Sequence, residues 1–167
     1  DAILALACPH VIFTGGEPMV QQTKLLEVAA SFRARVDGAT VDLETNGTIA
    51  PKPEFDALVD HYVVSPKLSS AGMTEGKRIR EQALRFFAEC GRSSFKFVVS
   101  TDEDLREILG LIDTGGLPRE RVYLMPEGQT LEGLQRNQER VARLCLEHGF
   151  RFSDRLHVRL YGAKRGV

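Results

Sequence analysis

Two glycines, an acid and a proline, Gly15-Gly16-Glu17-Pro18, interrupt the sequence directly after the apolar run HVIF (10–13). Similar polar clusters follow other short apolar runs. Thr45-Asn46-Gly47 comes after TVDLE (40–44), which itself ends on Glu44, and Ser65-Pro66-Lys67 comes after HYVV. Ser100-Thr101 follows FKFVV, and Pro126-Glu127-Gly128 follows RVYLM (121–125). A glycine pair lets a ligand approach the backbone closely and reach its N–H and C=O groups. A carboxylate beside the pair, Glu17, favours a cationic group such as an ammonium. Lys67 offers a point charge and Ser65 a hydroxyl, a combination suited to a carboxylate. A ligand with both an ammonium and a carboxylate is an amino acid. Taken singly, each cluster also reads as a turn, Pro18 as a helix-start proline and Lys67 as a solvated cation. The recurrence of one charged residue per loop, at Glu17, Glu44, Lys67 and Glu127, argues instead for a common binding face.

Such a face needs strands and helices that aim the loops together. Strand-length runs occur at 10–13, 40–44, 61–65, 95–100, 121–125 and 155–160 (RLHVRL), several rich in Val, Ile, Phe and Tyr. Between them, helical periods run from Met19 to Arg35, Glu54 to Val59, Thr74 to Cys90, Asp102 to Ile112 and Leu131 to His148. Leu105, Ile108, Leu109 and Ile112 share one stripe, preceded by Thr101 as an N-cap and three acids that suit the helix dipole. Gly149 stands where a left-handed residue ends a helix. Alternating strands and helices without hairpin signals predict an α/β fold with a parallel sheet, whose strand-to-helix loops open on one face. A single domain is expected over 1–167.

The chain has 167 residues, 43% hydrophobic and 27% charged, with a net charge of −1. Nothing in that balance argues for a nucleic-acid partner or an acidic membrane. No apolar run approaches the roughly 20 residues of a membrane span, and no signal-type segment opens the sequence, so a cytoplasmic location is expected. Cys8, Cys90 and Cys145 lie far apart without metal-type spacing, and each reads as a small buried hydrophobe.

The stretch FTGGEPMVQ resembles the GGEP motif of the radical S-adenosylmethionine (SAM) superfamily. The ordered set GGEPMVQ, DLETNGT, VVSPKLSSAG, FKFVVS, VYLMPEG and RLHVRLYGAKRGV is similar to the 7-carboxy-7-deazaguanine synthase family within it. That resemblance implies a partial (β/α)6 barrel and a lyase that turns 6-carboxy-5,6,7,8-tetrahydropterin into 7-carboxy-7-deazaguanine with loss of ammonia. It implies SAM, a [4Fe–4S] cluster and Mg2+ as cofactors, an external electron donor such as flavodoxin, and a homodimer. Gly15, Gly16 and Glu17 would hold the methionine amine, and Ser65 and Lys67 the ribose and methionine carboxylate. Glu44, Thr45 and Asn46 would line the SAM and substrate pocket, and the loop with Glu127 would meet the adenosyl part. His157 and the carboxylate of Val167 would lie near the pterin, with Arg159 a weaker candidate for its carboxylate. Lys164 and Arg165 read as surface charges. Glycyl-radical activating enzymes share the GGEP end but not the RLHVRLYGAKRGV ending, and a cluster-free SAM- or nucleotide-binding module is the alternative from another class.

The family's cluster-binding cysteine triad has no counterpart in the sequence. The resemblance therefore implies that the first βα unit and its cluster loop precede Asp1, and that the chain as given is inactive. It also implies an apolar flank left exposed on the 10–13 strand.

Overall fold

The computed structural model describes residues 3–162 and 164. Six parallel strands form one sheet: β1 (His10–Phe13), β2 (Thr40–Thr45), β3 (His61–Val64), β4 (Ser93–Val99), β5 (Val122–Pro126) and β6 (Arg151–Phe152). Their spatial order is their chain order, and each pairs in parallel with the next. β1 and β6 are edges, so among the described residues the sheet does not close into a barrel. The crossovers carry α1 (Gln22–Arg35), α2 (Pro53–Asp56), α3 (Glu75–Arg78), α4 (Glu81–Glu89), α5 (Asp102–Gly115) and α6 (Leu131–His148), and α7 (Leu156–Tyr161) follows β6.

The period-2 alternation of each strand separates two environments. On β4, Ser93, Phe95, Phe97 and Val99 are buried, and on β2 Val41, Leu43 and Thr45. The apolar ones join Leu84, Phe87, Leu105, Ile108, Ile112 and Val141 from the helices in one core. The intervening residues are only half-buried and largely polar, and they pair across strands: His10 with Asp42 at 3.0 Å, His61 with Ser94 at 3.0 Å, Glu44 with Lys96 at 3.1 Å. The helix-covered face therefore supplies cohesion, and the other face carries polar groups.

Local signals set most helix ends. Thr101 and Asp104 form a reciprocal capping box at α5, Thr130 caps α6 by accepting from the Gly133 N–H, and Gly149 ends α6 at φ 70°. Pro18 opens a 3₁₀ turn (Pro18–Gln21) that leads into α1.

Four expectations change. The segment 155–160 is helical, not a strand: the Arg155 carbonyl accepts from the Val158 and Arg159 N–H groups, and of its residues only Val158 is buried. The sixth strand is the two-residue Arg151–Phe152, too short to leave a pattern. The helix expected from Thr74 to Cys90 breaks at Ile79, which is extended (φ −118°, ψ 125°) because Arg78 turns inward to meet Glu107 on α5. Cys8 is exposed, its thiol on the His10 carbonyl, whereas Cys145 is buried and burial pushes its thiol pKa up. On the edge strand β1, Ile12 is 50% exposed.

Candidate functional site

The loop after β1 is held from within. Glu17 accepts hydrogen bonds from the Met19 N–H (3.0 Å), the Thr45 hydroxyl (2.8 Å) and the Asn46 N–H (2.7 Å). Both carboxylate oxygens thus bind the chain itself, joining the Gly15–Gly16 turn to the end of β2. Gly15 has φ 138°, and a Cβ built on Gly15 or Gly16 would meet nothing within 4 Å, so this backbone is bare to a ligand. Thr45 passes the constraint on by accepting from the Gly47 N–H at 3.1 Å, and Asn46 closes a side-chain turn on the Thr48 N–H at 2.9 Å.

The loop after β3 is held from outside. Ser65 donates its N–H to the Thr45 carbonyl (2.7 Å) and its hydroxyl to the Lys96 carbonyl (2.8 Å), locking it between β2 and β4. Beyond it, Arg78 donates to the Lys67 carbonyl at 3.1 Å and to Glu107, which also accepts from the Ser69 N–H and hydroxyl, both at 2.8 Å. Burial pushes the Glu107 carboxyl up, but the Ser69 donors and the Arg78 guanidinium outweigh it and hold the group below the usual glutamate range. With its backbone fixed in this way, Lys67 projects an exposed ammonium that has no partner among the described residues.

These loops surround one open cleft of about 400 Å³ at the carboxyl ends of the strands. Of the residues expected from sequence, Gly15, Gly16, Glu44, Thr45, Asn46, Ser65, Lys67 and His157 line it. Glu127 lies in an adjoining hollow that shares Ser65, Lys67 and Val98 with the cleft. Glu17 stands behind the wall. Val167 and Arg165 fall outside the described residues, and Lys164 is exposed. His157 reaches the cleft from α7 rather than from a strand. Arg159 is tied to Asp154 and Gln138.

Sequence reasoning missed Thr14, Lys96, Asp154 and Arg155, which also line the cleft. Thr14 donates to Glu44 at 3.1 Å and Lys96 pairs with the same carboxylate. A signal for Lys96 existed: between Phe95 and Phe97 on a strand, a lysine must face away from the core. Asp154 and Arg155 carried none, because the run 155–160 imitates a strand.

The residues suit an amino-acid ligand: a bare glycine backbone, a free ammonium and an anchored serine. They do not suit a metal or an iron–sulfur cluster. The three cysteines lie apart in the chain and differ in burial, and among the described residues no group of three His, Cys, Asp or Glu side chains is placed to hold a metal.

No protein-family model matches the chain. Three curated relatives named 7-carboxy-7-deazaguanine synthase are similar to it. That of Pyrobaculum aerophilum is 39% identical over 94% of the chain, that of Halobacterium salinarum 35% over 91%, and that of Hyperthermus butylicus 33% over 89%. The chain spans 67%, 65% and 63% of their respective lengths, about two thirds in each case. In fold it is similar to a crystallised domain of pyruvate-formate lyase-activating enzyme from Bacteroides vulgatus, with a TM-score of 0.60 and 14% identity over 86% of the chain and 97% of that domain.

Proposed function

Since this chain belongs to the 7-carboxy-7-deazaguanine synthase family, we propose that it forms the ligand-binding face of a radical SAM lyase. The whole protein then converts 6-carboxy-5,6,7,8-tetrahydropterin to 7-carboxy-7-deazaguanine with loss of ammonia. The observation that carries this reading is the meeting of Gly15, Gly16, Asn46, Ser65, Lys67 and His157 in one cleft, although they are spread over more than 140 residues of sequence.

In this reading Gly15 and Gly16 receive the methionine amine on their backbone, in the position that Glu17 fixes. Lys67 takes the methionine carboxylate. Ser65, whose proton is engaged by the Lys96 carbonyl, keeps its oxygen as an acceptor for a ribose hydroxyl. Asn46 and Glu44 line the same pocket, and Glu127 meets the adenosyl part from the adjoining hollow. Thr45 and His157 border the pterin, and Val167 is assigned there with them. When bound, SAM supplies the radical chemistry; the residues of this chain bind, orient and shield. The [4Fe–4S] cluster and Mg2+ belong to the whole protein's chemistry, and none of the described residues is assigned to them. An external electron donor such as flavodoxin, a homodimeric assembly and a cytoplasmic location complete the reading. No helix among the described residues is long and apolar enough to cross a membrane.

Calorimetric titration of the whole protein with SAM tests the assignment. Lys67→Ala removes a charged hydrogen bond and should weaken SAM by about 1.5–3 kcal/mol, some ten- to hundredfold in Kd. An unchanged Kd removes Lys67 from the site. Reconstituted protein that cleaves SAM anaerobically but leaves the carboxypterin untouched would refute the substrate.

A further inference from the structure

The cleft carries more positive charge than its own acids neutralise. Lys96 is matched by Glu44 at 3.1 Å, and Asp154 is taken by Arg159. Among the described residues, two cations are left. Lys67 is one, already assigned to the amino-acid end of SAM. The other is Arg155, in the loop between β6 and α7. It lines the cleft, its Nε is shielded from solvent, and that nitrogen has no hydrogen-bond partner.

We propose that Arg155 is the receptor for the substrate's carboxylate, a second anion site in the cleft distinct from Lys67. This rests on the reading of the cleft given above. With Nε closed off, the two Nη groups of the guanidinium are left to present the pair of N–H groups that a carboxylate accepts in bidentate fashion. His157, two residues on, lines the same cleft. Arg159 cannot take this role without leaving Asp154 and Gln138, whereas the Arg155 side chain has no partner to leave among the described residues. One cation per carboxylate also separates the two ligands, so neither competes for the other's anchor.

The test compares two fluorescent probes, 6-carboxypterin and pterin without the carboxylate, bound to the whole protein, with SAM affinity measured alongside. Wild type should prefer the carboxylated probe by about tenfold or more, the size of a lost charge-assisted pair. Arg155→Ala should erase that preference while leaving SAM affinity within about twofold. Arg155→Lys should restore part of it, because an ammonium keeps the charge and lacks the fork. The proposal is overturned if Arg155→Ala retains the preference, or if it weakens both probes and SAM together, as a purely structural residue would. A wild-type protein that binds SAM but neither pterin sinks the substrate reading itself.

Discussion

Glu107→Gln tests how the lip that presents Lys67 is held. The side chain of Arg78 is 8% exposed and that of Glu107 20%, so the pair is largely out of water. Glutamine keeps the shape but removes the charge. The guanidinium then has only the Lys67 carbonyl, and Ser69 loses a charged acceptor for its N–H and hydroxyl. Removing one partner of a fully buried ion pair costs about 3–5 kcal/mol. The remaining exposure of Glu107, and the amide oxygen that still accepts from Ser69, reduce this to about 2–3 kcal/mol. For a chain of this size each kcal/mol moves Tm by roughly 2–4 °C, so calorimetry should find a drop of about 4–12 °C at neutral pH. SAM affinity should fall with it, since the Lys67 backbone is released. The pH dependence has a definite sign. A carboxyl with a depressed folded-state pKa contributes stability above its ordinary value of about 4.3, and that contribution is lost as pH falls through the lower folded value. The gap between wild type and variant should therefore close on acidification. A Tm within about 2 °C of wild type at neutral pH, or a gap undiminished at about pH 3, refutes the clamp.

Four further outcomes are expected. Glu17→Ala removes the acceptor of three hydrogen bonds and should cost about 2–4 kcal/mol in urea unfolding, with SAM binding impaired in the fraction that folds. Gly128→Ala would set a Cβ 2.7 Å from the Leu134 nitrogen and 2.9 Å from the Gly133 carbonyl carbon, forcing the β5 loop off α6 at about 1–3 kcal/mol. Gly110→Ala, in open space on α5, is its control and should stabilise by about 0.5–1 kcal/mol in the same melts. The hydrogen bond from Arg33 holds the Asp60 carboxyl below the usual aspartate range, so Asp60→Asn should be less stable than wild type at neutral pH. Thermal melts across pH should show that difference shrinking as acid protonates the wild-type group, and a difference independent of pH would contradict it.

Where local chemistry decides the structure, the sequence was readable. α6 begins after Thr130 and ends before Gly149 as its caps require, and of the five apolar runs from His10 to Met125, all strands, the last four bury alternate residues. Where a distant partner decides, it was not. No glycine or proline marks the break at Ile79; the inward pull of Glu107, 29 residues from Arg78, makes it. Arg155 to Leu160 alternates as a strand does, yet with Leu156 61% and Leu160 62% exposed there is no second apolar layer for a strand face to meet. In the site the loops were legible by composition, but the work of Glu17 was not. An acid beside two glycines looks the same whether it faces a ligand or, as here, Thr45 and Asn46 nearly thirty positions away.

Strand order that copies chain order has a kinetic consequence. Each strand meets its partner one crossover later, so no pairing waits for a remote segment and loop closure proceeds in small, similar steps. The sheet can grow like a zipper from β1 to β6. The cleft does not grow in this way: Gly15 and Gly16 sit at one end of the zipper and Arg155 and His157 at the other. Its anion anchors come together only when the final, two-residue strand has docked. Ligand affinity is thus a readout of completed assembly, and it will fall in proportion to any population in which the β6 edge has frayed.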